Sequence, residues 1–108
     1  MQNQDLPFTL IAPGSPPITN FNCDNQVYHI DLINPSAIPN LCLTLTSPLP
    51  DNIALCLYYS APPYTNLQYI GAVYNNHPSD IFSTGFPLRP DIAELQSIKI
   101  CLKGQTYE

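Results

Sequence analysis

The chain is expected to fold as an all-β domain, an antiparallel β-sandwich or jelly-roll-like arrangement of seven to eight short strands with little or no helix. Three observations predict it. Apolar residues fall in short runs, several alternating with polar residues at the period of two that a half-buried strand requires. Thirteen prolines lie mostly between those runs, where the missing N–H costs no ladder bond. No stretch sustains a helical period. Such strands, separated by Pro and Asn turns, are the pattern of a sandwich.

In chain order, the runs Phe8–Ala12, Gln26–Asp31, Leu41–Thr46, Ile53–Tyr59, Leu67–Tyr74, Asp80–Ser83 and Ser97–Leu102 read as strands. Leu41-Cys42-Leu43-Thr44-Leu45-Thr46 places its leucines on one face and Cys and Thr on the other. Ile98-Lys99-Ile100-Cys101-Leu102-Lys103 turns its aliphatic residues inward and sends the lysines out with Cys101. Between the first two runs, residues 12–25 are rich in Pro and Asn and read as a long surface loop. Pro16-Pro17 within it is a stiff turn rather than a polyproline ligand. Asp91-Ile92-Ala93-Glu94-Leu95-Gln96 offers one short helical turn. No internal repeat or second domain is visible, and residues 1–108 read as one domain with a single modest core.

Composition excludes several functions. Three Lys and Arg stand against eight Asp and Glu, for a formal net charge of −5. Arg89, Lys99 and Lys103 are the whole cationic supply, far from the clusters that displace counterions from nucleic acid. An anionic membrane surface is excluded for the same reason. The N-terminus carries no signal-peptide pattern and no run reaches the length of a membrane span. The expected location is therefore cytoplasm and nucleus. The initial Met reads as a natural start, and the end soon after Lys103-Gly104-Gln105 reads as a boundary within a longer protein.

Cys23, Cys42, Cys56 and Cys101 are widely and irregularly spaced. They read as free thiols, three of them small hydrophobes within strands; two disulfides would mark a secreted binding module instead. No Cys-x-x-Cys occurs, and His29 and His77 lie far from any cysteine pair, so no zinc site is expected. Calcium lacks a loop with enough carboxylates. Neither metal nor cofactor is expected.

Catalytic motifs are missing as well. There is no nucleophile elbow, no phosphate-binding glycine loop and no His-Glu-x-x-His. His77-Pro78-Ser79-Asp80 is read as a turn whose side chains bond local amides. The expected protein is not an enzyme.

Aromatic residues concentrate in the second half of the chain. Most serve packing. Tyr58 and Tyr59, adjacent in one strand, must face opposite sides, one the core and the other a surface groove. Phe86, in Gly85-Phe86-Pro87-Leu88-Arg89-Pro90, is expected on a Pro-stiffened loop, as an exposed contact for a partner or else folded back onto its own domain.

Four segments carry a resemblance. They are Val27-Tyr28-His29-Ile30-Asp31-Leu32, Leu43-Thr44-Leu45-Thr46-Ser47-Pro48-Leu49-Pro50, Leu55-Cys56-Leu57-Tyr58-Tyr59, and above all Gly71 through Phe82. In the last, Gly71, Asn75, Pro78, Ser79, Ile81 and Phe82 stand at matching positions. Taken together they resemble the N-terminal domain of the Hikeshi family, a β-sandwich followed by a helical C-terminal region that supports dimerisation. Ala72, His77 and Asp80 depart from the family's usual Phe, Lys and Ala, and the loop bearing Phe86 is much shorter.

The resemblance implies a non-catalytic nuclear import carrier for the ATP-bound heat-shock chaperone of the seventy-kilodalton class during thermal stress. It implies contacts with Phe-Gly nucleoporin repeats and, for the full-length protein, a homodimer through the helical region missing from this chain. The expected repeat site lies in apolar pockets bordered by Tyr58 or Tyr59, Tyr69 and Phe82, with Phe86 a further contact.

Overall fold

A computed structural model describes residues 6–106. Eight strands form two antiparallel sheets. They are β1 (Phe8–Ile11), β2 (Asn22–Asp24), β3 (Val27–Ile33), β4 (Asn40–Leu45), β5 (Ile53–Ser60), β6 (Gln68–Val73), β7 (Ser79–Ser83) and β8 (Ser97–Thr106). The small sheet has the order β1-β4-β7 and the large one β2-β3-β8-β5-β6. The architecture is the all-β sandwich expected from the strand pattern. Among the described residues, only 3-10 turns at Pro35–Ala37 and Phe86–Leu88 and the four-residue helix α1 (Pro90–Ala93) interrupt it.

The alternation that marks the strands also builds the core. Leu41 and Leu43 on β4, Leu55 and Leu57 on β5, and Ile98, Ile100 and Leu102 on β8 are all buried between the sheets. Each contributes about 1.5–3 kcal/mol by leaving water. Leu41 and Leu43 alternate with half-buried Cys42 and Thr44, as the pleat requires. Leu45 is also only half-buried, because it lies at the strand end.

The segment expected as one long loop, residues 12–25, is partly ordered into the sandwich. Leu10 and Ile18 exchange backbone hydrogen bonds of 3.4 and 2.7 Å, which covers the free side of β1. Farther on, Asn22–Asp24 pairs with Val27–Tyr28–His29 as β2. The two-residue turn between them, Asn25-Gln26, has positive φ at both residues (53° and 67°), the geometry of a type I′ hairpin. Gln is an unusual occupant of such a position, and the sequence therefore lacks the Asn-Gly signal that would announce the hairpin.

One irregularity shapes the outer surface. Along β5 and β6, Leu57 faces Gly71 but Tyr58 faces Tyr69, so Ile70 is an extra residue in β6. This bulge reverses the facing of the strand beyond it. Tyr69, two residues from inward-facing Gly71, is thereby brought to the outer face beside Tyr58.

Candidate functional site

The segment Gly71–Phe82 forms a corner that joins the two sheets through β6 and β7. Gly71 is required there by a close approach: a Cβ on it would lie 2.4 Å from Phe82 Cε1. The Phe82 ring thus occupies the volume a side chain at 71 would need, half-buried against the core. Between them, Tyr74 and His77 exchange backbone hydrogen bonds of 3.1 and 2.8 Å around Asn75-Asn76.

Asn75 holds the corner to the β4–β5 connection. Its Nδ2–H donates to the Leu49 carbonyl at 2.8 Å, and its Oδ1 accepts from the Leu49 N–H, also at 2.8 Å. The amide thereby pairs with Leu49 as a neighbouring strand would. Pro78 completes the anchor: its carbonyl accepts from the Leu45 N–H at 2.7 Å. The Ser79 and Thr44 hydroxyls bond at 3.0 Å. At the exposed end, His77 Nε2–H donates to Asp80 Oδ2 at 3.0 Å and the Ile81 N–H donates to Oδ1 at 2.8 Å. The His77 bond first, and the Ile81 amide second, hold the Asp80 carboxyl below the usual carboxylate range. Asp80 is a turn-forming carboxylate here.

Against this corner lies an open hollow of about 470 Å³ lined by Leu45, Thr46, Ser47, Pro48, Asn75 and Pro78. Leu45, Pro48 and Pro78 give it apolar lining, and Asn75, held by its two bonds to Leu49, lies beside them. Its lining was not evident from the sequence, because residues 45–49 and 75–78 are brought together by the long-range Leu45–Pro78 and Leu49–Asn75 bonds.

The expected aromatic residues fall into three separate places. Tyr58 and Tyr69 meet edge-to-face on the outer side of the large sheet, with centroids 5.7 Å apart, and Tyr69 is 60% exposed. Lys103 Nζ stands 5.2 Å from the Tyr58 ring centre, and the Tyr58 hydroxyl donates to Gln105 Oε1. Desolvation first, then the neighbouring Cys56 and Tyr69, hold the Tyr58 phenol above its ordinary range. It is a neutral donor.

Tyr59 takes the opposite face, as adjacent strand residues must, and is buried. Its ring meets Phe86 edge-to-face at 5.1 Å.

Phe86 corrects an expectation. It is 0% exposed and belongs to the core. Thr84 explains the turn inward: its hydroxyl donates to the Ile38 carbonyl at 2.7 Å and accepts from the Phe86 N–H at 3.1 Å. Gly85 supplies the left-handed residue, φ 72°, that starts the following 3-10 turn. Phe82, at the corner, joins neither pair. The five aromatic residues therefore do not border one common pocket. Of the motif residues, Ile81 points away from the core and is exposed, whereas Gly71 is buried.

The cysteines are all free. Burial pushes the thiols of Cys56 and Cys101 up despite the nearby lysines, the direction for a thiol that packs rather than reacts. Among the described residues, no group of three or more His, Cys, Asp or Glu is placed to hold a metal ion. No helix among them is long and apolar enough to cross a membrane.

No protein-family model matches the chain, and no curated protein matches it.

Proposed function

We propose that this domain is a non-catalytic carrier module that binds the phenylalanines of Phe-Gly nucleoporin repeats and helps to import the ATP-bound heat-shock chaperone during thermal stress. One observation carries the reading: the hollow against Asn75 and Pro78 lies on the segment whose residues bear the strongest resemblance to such carriers. Its volume, about 470 Å³, exceeds the roughly 150 Å³ that accepts a benzene-sized ring. Leu45, Pro48 and Pro78 offer the apolar contacts that a benzyl group needs.

Burying one Phe contributes about 1.5–3 kcal/mol, and ordering a flexible repeat offsets part of it. One site is then weak, with Kd on the order of millimolar. Several sites in the full-length dimer would act together through effective concentration. A carrier working this way would move between cytoplasm and nucleus.

NMR titration with Phe-Gly peptides tests the repeat site. Saturable shifts at Leu45, Thr46, Asn75 and the residues around Pro78 are expected. Equal shifts with Ser-Gly peptides, or none, would discard it. Import of labelled chaperone into permeabilised cells by the full-length protein, with and without ATP, tests the cargo.

A second reading is a general protein-interaction adaptor with a different partner. The Tyr58–Tyr69 pair, with Tyr69 exposed and Tyr58 half-buried, favours it, since that surface shares no residue with the hollow. Shifts confined to this pair on addition of a partner would support it.

A further inference from the structure

A second cavity, about 270 Å³, opens between the end of β5, the 61–67 connection and the turn into α1; its polar lining is Tyr59, Thr65, Asn66, Gln68, Arg89 and Asp91. We infer that this cavity is a binding site for a carboxylate ligand of about amino-acid size, with the Arg89 guanidinium as its anchor.

Arg89 is the only arginine of the chain. Its position is set from below: Nη1–H donates to the hydroxyl of buried Tyr59, and the guanidinium carbon stands 5.7 Å from the Tyr59 ring centre. Tyr59 is itself fixed by its edge contact with buried Phe86. A guanidinium carries five N–H donors in a rigid fork. One goes to Tyr59 and one, at 3.3 Å, to Asp91 Oδ2. Three remain beyond these two bonds on a residue that lines the cavity, enough for a bidentate grip on a carboxylate.

The rim is equally pre-set. The buried Ser60 hydroxyl donates to the Asn66 carbonyl at 2.7 Å, and the Tyr64 N–H donates to the Ala61 carbonyl at 2.7 Å. These bonds hold the 61–67 connection in place. Thr65, Asn66 and Gln68 then line the cavity as neutral polar residues suited to an amide or hydroxyl beside the carboxylate.

Asp91 shows what the site accepts. Its carboxylate rests on the guanidinium in a long, exposed ion pair, with 67% of its side chain in solvent. Such a pair is weak, so a ligand carboxylate that takes the fork in two-point geometry can displace it.

Size and charge narrow the class. By liquid volume, at roughly 30 Å³ per water, the cavity holds about nine waters. A lone cation in the lining suits a monocarboxylate; a nucleotide brings more negative charge than one guanidinium can match. The other two cations, Lys99 and Lys103, stand on the outward-facing row of β8. The cavity shares no residue with the hollow at Asn75 and Pro78.

Titration of the isotope-labelled chain with N-acetylglycine, and separately with its neutral amide, tests the site. The acid should shift the Arg89 Nε–H and the amides of Asn66 and Gln68 saturably, with Kd on the order of millimolar, while the amide leaves them unmoved. Arg89→Gln should weaken the acid at least tenfold. Asp91→Asn, which removes the internal competitor without touching the core, should tighten it about two- to fivefold, the worth of an exposed ion pair. Equal response to acid and amide would overturn the inference. So would weaker binding in Asp91→Asn, or no saturation in either the parent chain or that variant. A capped tripeptide with a free C-terminus identifies the source. Tighter binding than N-acetylglycine assigns a peptide terminus, and weaker binding assigns a free acid.

Discussion

Tyr58 and Tyr59 are neighbours on β5, and each builds the same small assembly on its own side of the sheet. Tyr58 meets Tyr69 edge-to-face at 5.7 Å and 71°, with Lys103 over its ring. Tyr59 meets Phe86 edge-to-face at 5.1 Å and 76°, with Arg89 over its ring. Geometry hardly separates them; water does. The inner pair is packed by the core and contributes to stability, whereas the outer pair stands at the solvent boundary, Tyr58 half-buried and Tyr69 exposed. Aromatic contact geometry alone therefore does not tell a binding surface from a packing contact.

Truncating one ring on each side should separate the two pairs by their cost to stability. Phe86→Ala removes a fully buried ring, and we expect a loss of about 3–5 kcal/mol in chemical denaturation. Gly71→Ala tests the intermediate case at Phe82. The added methyl collides with the ring 2.4 Å away, and an expected loss of about 1–3 kcal/mol should shrink when Phe82→Leu accompanies it. If the two changes were additive, the close approach would not be the reason for glycine at 71.

Tyr69→Ala should cost at most about 0.5–1.5 kcal/mol, the value of an aromatic pair, and less because the ring is largely in water. A loss matching that of Phe86→Ala would erase the distinction between the two sides. The smallest effect belongs to Asp80. Its carboxyl is held below its ordinary value of ~3.9, so its contribution is present above that pH and fades as pH falls through the lowered value. Asp80→Asn should therefore lower stability slightly at neutral pH, change little in acid, and so flatten the acid limb of stability against pH. An unchanged acid limb would mean that the His77 and Ile81 bonds do not persist in solution.

Much of this was legible from residue order. The leucines and isoleucines at alternate positions of β4 and β8 announce both the strands and their buried face, because the pleat converts a period of two directly into inside and outside. Tyr58 and Tyr59 follow from the same rule. β2 was hidden because Asn25-Gln26 is a poor signal for a hairpin that tertiary pairing nevertheless forms.

What residue order determined by itself is the strand inventory and the face each regular strand buries, since both depend on neighbours one or two positions away. Tertiary structure decided the rest. The Ile70 bulge brings Tyr69 outward, Thr84 and Gly85 turn Phe86 inward, Asn75 reaches Leu49, and Arg89 finds Tyr59 across thirty residues. Each is a choice of partner between distant segments, which no local period encodes, and the hollow and the polar cavity both depend on such choices.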